Sequence, residues 1–424
     1  MKHSEFSDFL KVYGKIGLMS FGGPAGQIAL MHRVIVQEKK WLNEKEYLNA
    51  LSFCMLLPGP EAMQLATYSG WRLLGVRGGL ISGLLFVLPG TGVVLGLAII
   101  YALYGSTPTL SALFLGIKAA VLMIVLEALN KVARKSLKTK ASWVIAGLSF
   151  VALFFLNLPF PLIMLLAALF GCINPSEINM QKQQSELSVT ISQTFKTAAL
   201  WLVLWFLPLG LIAGLGGQTV LVQLWVFFSK LAMVTFGGAY SVLAYVAQDA
   251  VNAKGWLSAR EMMDGLGLAE TTPGPLILVT EFVGFLAAAR VDGSFHFGLG
   301  LLGAAVTLWA TFVPCFLWIF VGAPYIEWMS SKPRLTTALS SISAAVVGVI
   351  LNLSLWFSLH VLFGEVVQTY YGPFNLWIPA VASVDIPALG LSIIAAIILL
   401  GLKKSVFLTL VICAVLGFAV DCLF

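Results

Sequence analysis

The sequence predicts an all-α polytopic membrane protein made of two inverted-topology repeats, each containing broken or re-entrant half-helices. Of the 424 residues, 59% are hydrophobic and only 10% are charged, whereas a soluble domain carries roughly 25% charged residues. A pair of helix-breaking motifs occurs twice in the same order. Basic residues cluster in different loops of the two copies, which the positive-inside rule predicts for copies of opposite orientation.

The first motif, Phe21-Gly22-Gly23-Pro24, returns as Phe236-Gly237-Gly238, followed by alanine in place of proline. The second motif, Pro58-Gly59-Pro60, returns as Pro273-Gly274-Pro275, and both copies lie 215 positions on. Glycine and proline interrupt helices, and inside a membrane the freed backbone groups are tolerated only beside protein or a wet cavity. Broken helices repeated in both halves indicate the binding site of a transporter.

The first repeat, residues 1–174, begins with an amphipathic segment at 5–36 that is broken at Gly22 to Pro24. Two short helices, 44–57 and 61–71, flank the Pro-Gly-Pro motif. Each is too short to cross a bilayer alone, because a spanning helix needs about 20 residues. Full spans are predicted at about 78–104, 110–130, 141–157 and 160–174.

Residues 175–222 are predicted to form a polar linker and an unpaired helix at 197–215, and residues 223–424 form the second repeat. An insertion near residues 290–297 changes the offset between the copies from 215 to 225. The elements predicted for the second repeat are a broken helix at 223–250, a Pro-Gly-Pro hairpin at 259–290, and spans at 298–322, 337–357, 378–401 and 405–422.

The charges of equivalent loops predict the inverted orientation. Five basic residues lie between 131 and 140, whereas the equivalent loop at 358–385 has no Lys or Arg. Conversely, the uncharged loops at 105–109 and 157–161 have basic counterparts in the second repeat. The unpaired helix supplies the one additional membrane crossing that an inverted second copy requires. Whether the broken helices cross or re-enter stays open, because both arrangements have the same parity.

These motifs and their order resemble the chromate ion transporter family in its long, two-domain form. The resemblance covers nearly the whole chain, with the motifs in residues 15–90 and 230–315. It implies a multi-pass protein of the cell inner membrane that transports chromate, usually outward, and gives chromate resistance. Sulfate is the natural look-alike substrate. The second copy departs from the motif at Ala239, where the first has Pro24.

Chromate is a tetrahedral dianion, so a site for it needs hydrogen-bond donors and positive potential. Half-helix N-termini offer both, and glycines let the backbone come close. The alternative is that the glycines only permit close helix packing, and that hydroxyls at the breaks bond their own helix. The predicted substrate-binding residues are Ser20, Gly22, Gly23, Gln27, Pro58, Gly59, Gln64, Thr235, Gly237, Gly238, Pro273 and Gly274.

Charged residues near the breaks or inside spans are candidates for adding charge or for coupling. Lys118 lies inside a predicted span, where a lysine is costly, although its side chain can also snorkel to the interface. The acids are candidate proton carriers, although an acid at a helix N-terminus also stabilises the helix dipole. These candidates are Lys15, Arg33, Lys118, Lys230, Glu61, Glu270 and Glu281.

The leading functional hypothesis is secondary active transport, and an anion channel or a carrier of another anion such as sulfate is the alternative. The sequence contains no GxxxxGK[ST] motif for ATP binding, and its four histidines are scattered. We therefore expect no enzyme, no catalytic residues, no metal site and no cofactor. The expected partners are chromate or sulfate and the lipid bilayer, not nucleic acid. A homodimer, the transport direction and the coupling ion stay open.

Overall fold

The computed structural model describes residues 3–21, 23–105, 107–174, 191–214, 216–217, 219–236, 239–326, 333–372 and 374–421. These residues are predominantly helical, which confirms the predicted all-α class. The first copy contains α1 (His3–Met19), α2 (Gly23–Met31), α3 (Glu44–Leu56), α4 (Glu61–Tyr104), α5 (Pro108–Ser136), α6 (Lys140–Phe154) and α7 (Phe160–Ile173).

The unpaired helix predicted between the copies is α8 (Ile191–Gly214). The second copy contains α9 (Thr219–Val234), α10 (Ala239–Gln248), α11 (Ala259–Thr271), α12 (Val279–Ala289), α13 (Phe297–Gly322), α14 (Pro333–Leu362), β1 (Val366–Tyr371), β2 (Phe374–Pro379), α15 (Ile386–Ala396) and α16 (Val406–Asp421). The π-helical segments His32–Glu38, Asp249–Ala253 and Ile397–Gly401 extend α2, α10 and α15.

Within the described residues, five helical stretches are long and apolar enough to cross a membrane, which confirms a polytopic membrane protein. They are α4, α5, Ser192–Gly214, Phe297–Tyr325 and α14. The spans predicted at 141–157 and 160–174 are the shorter helices α6 and α7, of 15 and 14 residues. In α4 the backbone leaves the helical conformation at Leu74 and Gly75, so the predicted helix 61–71 and span 78–104 are its two arms.

The duplication extends to the details of the backbone. Helices α3 and α11 begin and end at positions that differ by 215, and so do the last residues of α1 and α9. The loops that precede α3 and α11 each contain a left-handed residue at the same place, Lys40 with φ 53° and Gly255 with φ 60°. Asn43 and Ser258 cap the two helices in equivalent capping boxes with Glu46 and Glu261.

The later helices keep the same correspondence at larger offsets. Pro108 and Pro333 begin α5 and α14 at an offset of 225. The N-caps of α6 and α15, Thr139 and Asp385, differ by 246, so the second copy has gained residues between α14 and α15. The gained segment contains the hairpin β1–β2, in which Tyr371 pairs with Phe374 across the turn. This hairpin is not predicted by the sequence pattern, which indicates a plain loop at 358–385.

The chain forms two compact units, and each takes segments from both copies. Unit 1 comprises Met1–Ala98, Ser176–Ala239 and Thr272–Thr336, and its helices α12 and α13 meet at Gly284 and Gly303, where each glycine lies against the other's backbone. This close approach is the small-residue packing typical of membrane helices.

Unit 2 comprises Ile99–Pro175, Tyr240–Thr271 and Thr337–Phe424. Its helices α5 and α16 pack at Gly116 and Gly417 with the same lack of space for a Cβ atom.

Candidate functional site

The first of two junctions in unit 1 joins the end of α1 to the second Pro-Gly-Pro turn. The backbone N–H of Gly274 donates to the carbonyl oxygen of Ser20 at 2.9 Å. The side chain of Gln27 holds both segments, because its Nε2 donates to the carbonyl oxygens of Gly274 at 2.6 Å and of Ser20 at 3.3 Å. Gly274 has φ 93°, a conformation that glycine adopts without strain. All three residues are buried.

The second junction joins the end of α9 to the first Pro-Gly-Pro turn. The backbone N–H of Gly59 donates to the carbonyl oxygen of Thr235 at 2.8 Å. Gln64 Nε2 donates to the carbonyl oxygen of Pro58 at 2.7 Å, within the same turn. Gly59 has φ 124°, and a Cβ atom there would lie 2.9 Å from the sulfur of Cys315. The turn therefore requires glycine both for its backbone angle and for space.

The two junctions are reciprocal under the duplication. Ser20 is equivalent to Thr235 and Gly59 to Gly274, so the turn of each copy bonds the broken helix of the other. The supporting contacts follow the same rule: Gly90 lies against Gly274, and its equivalent at offset 225, Cys315, lies against Gly59. Residues from both copies are thus needed to complete each junction.

The donors nearest the breaks are already hydrogen-bonded in this conformation. Besides the two glycine N–H groups, the hydroxyls of Ser20 and Thr235 donate to carbonyl oxygens one turn back, at Ile16 and Leu231, both at 2.6 Å. This is the backbone bonding that the sequence left open as the alternative to anion binding. The Oε1 atoms of Gln27 and Gln64 are buried without a hydrogen-bond partner among the described residues.

Unit 2 contains a charged cluster built around Lys118. This lysine lies on α5, is 9% exposed, and places its Nζ 3.5 Å from Oδ1 of Asp264 on α11. The hydroxyl of Tyr101, at the end of α4, donates to the other oxygen of Asp264 at 2.8 Å. A buried charge is tolerated when it is paired and hydrogen-bonded. Here the ion pair supplies the counter-charge and Tyr101 supplies one hydrogen bond, whereas Oδ1 of Asp264 has no hydrogen-bond partner among the described residues.

A cavity of about 420 Å³ adjoins Lys118 within unit 2. Its polar lining comprises Ser111, Lys118, Arg260, His360 and Asp385, and its apolar lining comes from α5, α11 and the end of α14. His360 Nδ1 lies 2.8 Å from the carbonyl oxygen of Trp356 and therefore donates to it. We call this space the basic cavity, because two cations and an imidazole face a single lining carboxylate.

The profile of the chromate transporter family matches residues 7–172 and 222–418 of the chain. This chain belongs to the chromate transporter family. It is 31% identical to a chromate transport protein of Pseudomonas aeruginosa over 81% of this chain and 78% of that protein. It is 30% identical to a protein of Synechococcus elongatus named probable chromate transport protein, over 79% of this chain and 80% of that protein.

A chromate transport protein of Cupriavidus metallidurans is 29% identical over 79% of this chain and 78% of that protein. No solved structure matches the chain. The family match leaves out residues 173–221, which include the predicted linker and the whole of α8. The two matched ranges correspond to the two copies, which fits a repeat within this chain.

Within this chromate transporter, the structure brings together the predicted residues Ser20, Gln27 and Gly274 in one junction, and Pro58, Gly59, Gln64 and Thr235 in the other. Pro273 is buried, and its carbonyl lies against Gly90. Gly23 begins α2 with φ 70°. Gly22, Gly237 and Gly238 lie outside the described residues.

The remaining predicted cations lie away from buried sites. Lys15 and Lys230 are exposed on α1 and α9. Arg33 is exposed too, and its Nε lies 3.6 Å from the carboxylate of Glu38, as expected of a solvated helix end. Of the basic candidates named from the sequence, Lys118 is therefore the one that the structure buries.

The predicted acids differ in their surroundings. Glu61 is half-buried at the first residue of α4. Glu270 is buried in unit 2 and accepts a 2.9 Å hydrogen bond from the hydroxyl of Tyr240. Glu281 is buried on α12, and neither of its carboxyl oxygens has a hydrogen-bond partner among the described residues.

Asp264, Tyr101 and Arg260 are not among the site residues predicted from the sequence. A usable signal existed for Asp264, because it is an acid on the short helix that leads into the second Pro-Gly-Pro motif. An ionisable residue in such a segment is a functional candidate by default. Arg260 lies between the capping residues Ser258 and Glu261, and this local pattern does not indicate a binding role.

Proposed function

We propose that this protein is a secondary active carrier that exports chromate across the inner membrane and thereby gives chromate resistance. Membership of the chromate transporter family supports the substrate. The observation that carries the mechanism is the reciprocal pair of junctions, in which each copy completes the broken helix of the other. Broken helices at the interface of two repeats are typical of substrate sites in secondary transporters.

In this proposal the half-helix N-termini beside the junctions hold the oxyanion. The N–H groups of Gly59 and Gly274 donate to the carbonyls of Thr235 and Ser20 in the conformation described here. An oxyanion that replaces one of these carbonyls would receive a backbone donor and the positive end of a helix dipole. Opening one junction while the equivalent one stays closed gives the two alternating states that a carrier requires.

The proposed coupling group is Glu281. An ionised carboxylate is costly to bury without a partner, whereas a protonated carboxyl group is tolerated much better. The position of Glu281 on α12, just after the second Pro-Gly-Pro turn, connects its protonation to the segment that forms the first junction. Glu61 and Glu270 are further candidates, although Glu270 already has a hydroxyl partner.

The inverted orientation of the copies is also a proposal. The exchange of basic loops between equivalent positions supports it, and so does the reciprocity of the junctions, because a two-fold relation between copies generates reciprocal contacts.

Chromate flux into proteoliposomes tests the proposed function. Purified protein should accumulate chromate against its gradient when a proton gradient is imposed, and an uncoupler should abolish the accumulation. Flux that only dissipates a chromate gradient and ignores the uncoupler would identify an anion channel. Competition by excess sulfate tests the alternative substrate, because sulfate has the same tetrahedral shape and charge.

A further inference from the structure

We propose that the basic cavity of unit 2 is an oxyanion-binding site, and that the bound anion takes the place of Asp264 beside Lys118. This inference rests on the proposed oxyanion transport. It gives the anion a proposed binding site within unit 2, in addition to the one proposed at the junctions of unit 1. The ligand class is a tetrahedral dianion such as chromate or sulfate.

The lining of the basic cavity has the chemistry that an oxyanion requires. Lys118 on α5 and Arg260 on α11 provide two cations, and the imidazole of His360 on α14 provides a third nitrogen group. Asp385 is the lining carboxylate, and its Oδ1 accepts a 2.8 Å hydrogen bond from the N–H of Ala388 as the N-cap of α15. Hydrogen bonds from cations to oxyanions are about twice as strong as those between neutral groups.

The basic cavity gives an anion access to Lys118 from solvent. Arg260 is exposed and Lys118 is almost fully buried, so the cavity leads from solvent to a buried cation. Among the described residues, Arg260 forms no ion pair within 4.0 Å. An anion that enters the cavity therefore meets an uncommitted guanidinium before it reaches the Lys118 ammonium.

Lys118 is paired with Asp264 in the conformation described here. A lysine buried in a membrane helix is costly without a counter-charge. Asp264 neutralises it in the empty state, and an oxyanion neutralises it in the loaded state, so Lys118 has an anionic partner in both. The displaced carboxylate keeps the hydroxyl of Tyr101 as a donor. This exchange lets a carrier release its substrate, because an internal anion is always ready to return.

The Lys118–Asp264 pair is not repeated at the equivalent positions of the duplicated chain. The residues equivalent to Lys118, Asp264 and Arg260 are Ser343, Asn49 and Lys45. The ion pair is therefore absent from the equivalent positions, although the surrounding helices are repeated. A charge-bearing site present once suits the binding of one anion per carrier, whereas the duplicated junctions suit two alternating states.

The test is chromate binding to the purified full-length protein in detergent, measured by calorimetry. The decisive variant is Lys118→Gln with Asp264→Asn, because it removes both charges together and leaves no uncompensated buried ion. Loss of charged hydrogen bonds should weaken chromate binding roughly ten- to a hundredfold. Asp264→Asn alone should tighten binding, because it removes the competing internal anion. Arg260→Gln should weaken binding, and Lys45→Gln, the equivalent residue of the first copy, should leave it unchanged.

A double variant that binds chromate as tightly as the wild type would overturn the inference and leave a purely structural ion pair. Thermal unfolding of each variant separates a lost site from a lost fold, and the charge-matched double variant should unfold near the wild-type temperature. The same proteins in proteoliposomes separate the two proposals. If the wild type transports chromate and the double variant transports it equally well, the proposed cavity site is wrong and the carrier function stands. If binding depends on Lys118 but the wild type does not transport chromate, the cavity site stands and the proposed carrier function is wrong.

Discussion

The junctions of unit 1 and the basic cavity of unit 2 are built from opposite kinds of chemical group. The junctions are duplicated, buried and built from backbone groups and amides, and the donors nearest the breaks are hydrogen-bonded to the protein itself. The Lys118–Asp264 pair beside the cavity is not repeated at the equivalent positions, and the cavity lining includes charged side chains and an exposed arginine. Symmetric parts suit a change of state, since both states then use the same contacts, whereas a single charged site suits recognition.

The largest effect is expected from Gly274→Leu, which tests whether the junctions take part in transport at all. The left-handed conformation at φ 93° costs a residue with a Cβ atom about 1–2 kcal/mol, and that atom would lie 3.0 Å from Leu278 Cδ1 and 3.3 Å from Gly90 Cα. Chromate uptake into proteoliposomes should fall to background. Gly96→Leu is the control, because nothing lies within 4 Å of a Cβ at that helical position.

Normal uptake by Gly274→Leu would mean that the junctions only pack the helices and that the anion is handled elsewhere. The junctions would then have no direct role in transport. The amount of inserted protein must be measured beside uptake, so that a loss of transport is not confused with a loss of protein.

The second effect, from Glu281→Gln, tests coupling within unit 1. The amide has the size of the carboxyl group but exchanges no proton, so uphill accumulation of chromate should be lost while flux down a chromate gradient continues. Glu365→Gln, at an exposed position before the hairpin, should leave accumulation intact. If Glu281→Gln still accumulates chromate in an uncoupler-sensitive way, the proton carrier lies elsewhere.

The third prediction concerns the membrane sides of two equivalent loops. Cysteines placed at Lys138 and at Gln368, after replacement of the exposed Cys172 by Ser, should react with an impermeant reagent from opposite sides of the membrane. The reason is the exchange of basic residues between the two loops. Labelling of both positions from one side would remove the inverted-repeat proposal and leave the duplication itself in place.

The smallest expected effect is a difference in stability between variants of the two junctions. Gln27 donates to carbonyls of both joined segments, whereas Gln64 donates to a carbonyl of its own turn. A hydrogen bond contributes about 0.5–1.5 kcal/mol net, so Gln27→Leu should lower the unfolding temperature more than Gln64→Leu. Equal decreases in detergent would show that the bond between the copies adds nothing to the first junction.

Local chemistry made much of this fold predictable. Glycine and proline interrupt helices wherever they occur, so the breaks at Ser20 and Gly59 and their copies at Thr235 and Gly274 were predicted within a few residues. Internal duplication then predicted that equivalent elements would recur. The apolar runs predicted the membrane helices, because long stretches without charge have few other stable environments.

The missed features depend on contacts between distant residues. Gly274 bonds Ser20 and not its own Thr235, and no local pattern distinguishes these two partners. The role of Lys118 was left open because its partner Asp264 lies on another helix of the other copy. The hairpin β1–β2 was missed because its strands are short and interrupt an otherwise helical chain. The two compact units mix the copies for the same reason, since packing follows contacts and not sequence order.

The reciprocity of the junctions has a consequence for biogenesis. Gln27 and Gly274, which share a hydrogen bond, are 247 residues apart. At a synthesis rate of 5–20 residues per second, the first broken helix waits roughly 10–50 s for its partner turn. A broken backbone exposed to lipid is unstable during that interval. The nascent first copy must therefore keep its break in contact with water or with the insertion machinery until the second copy is made.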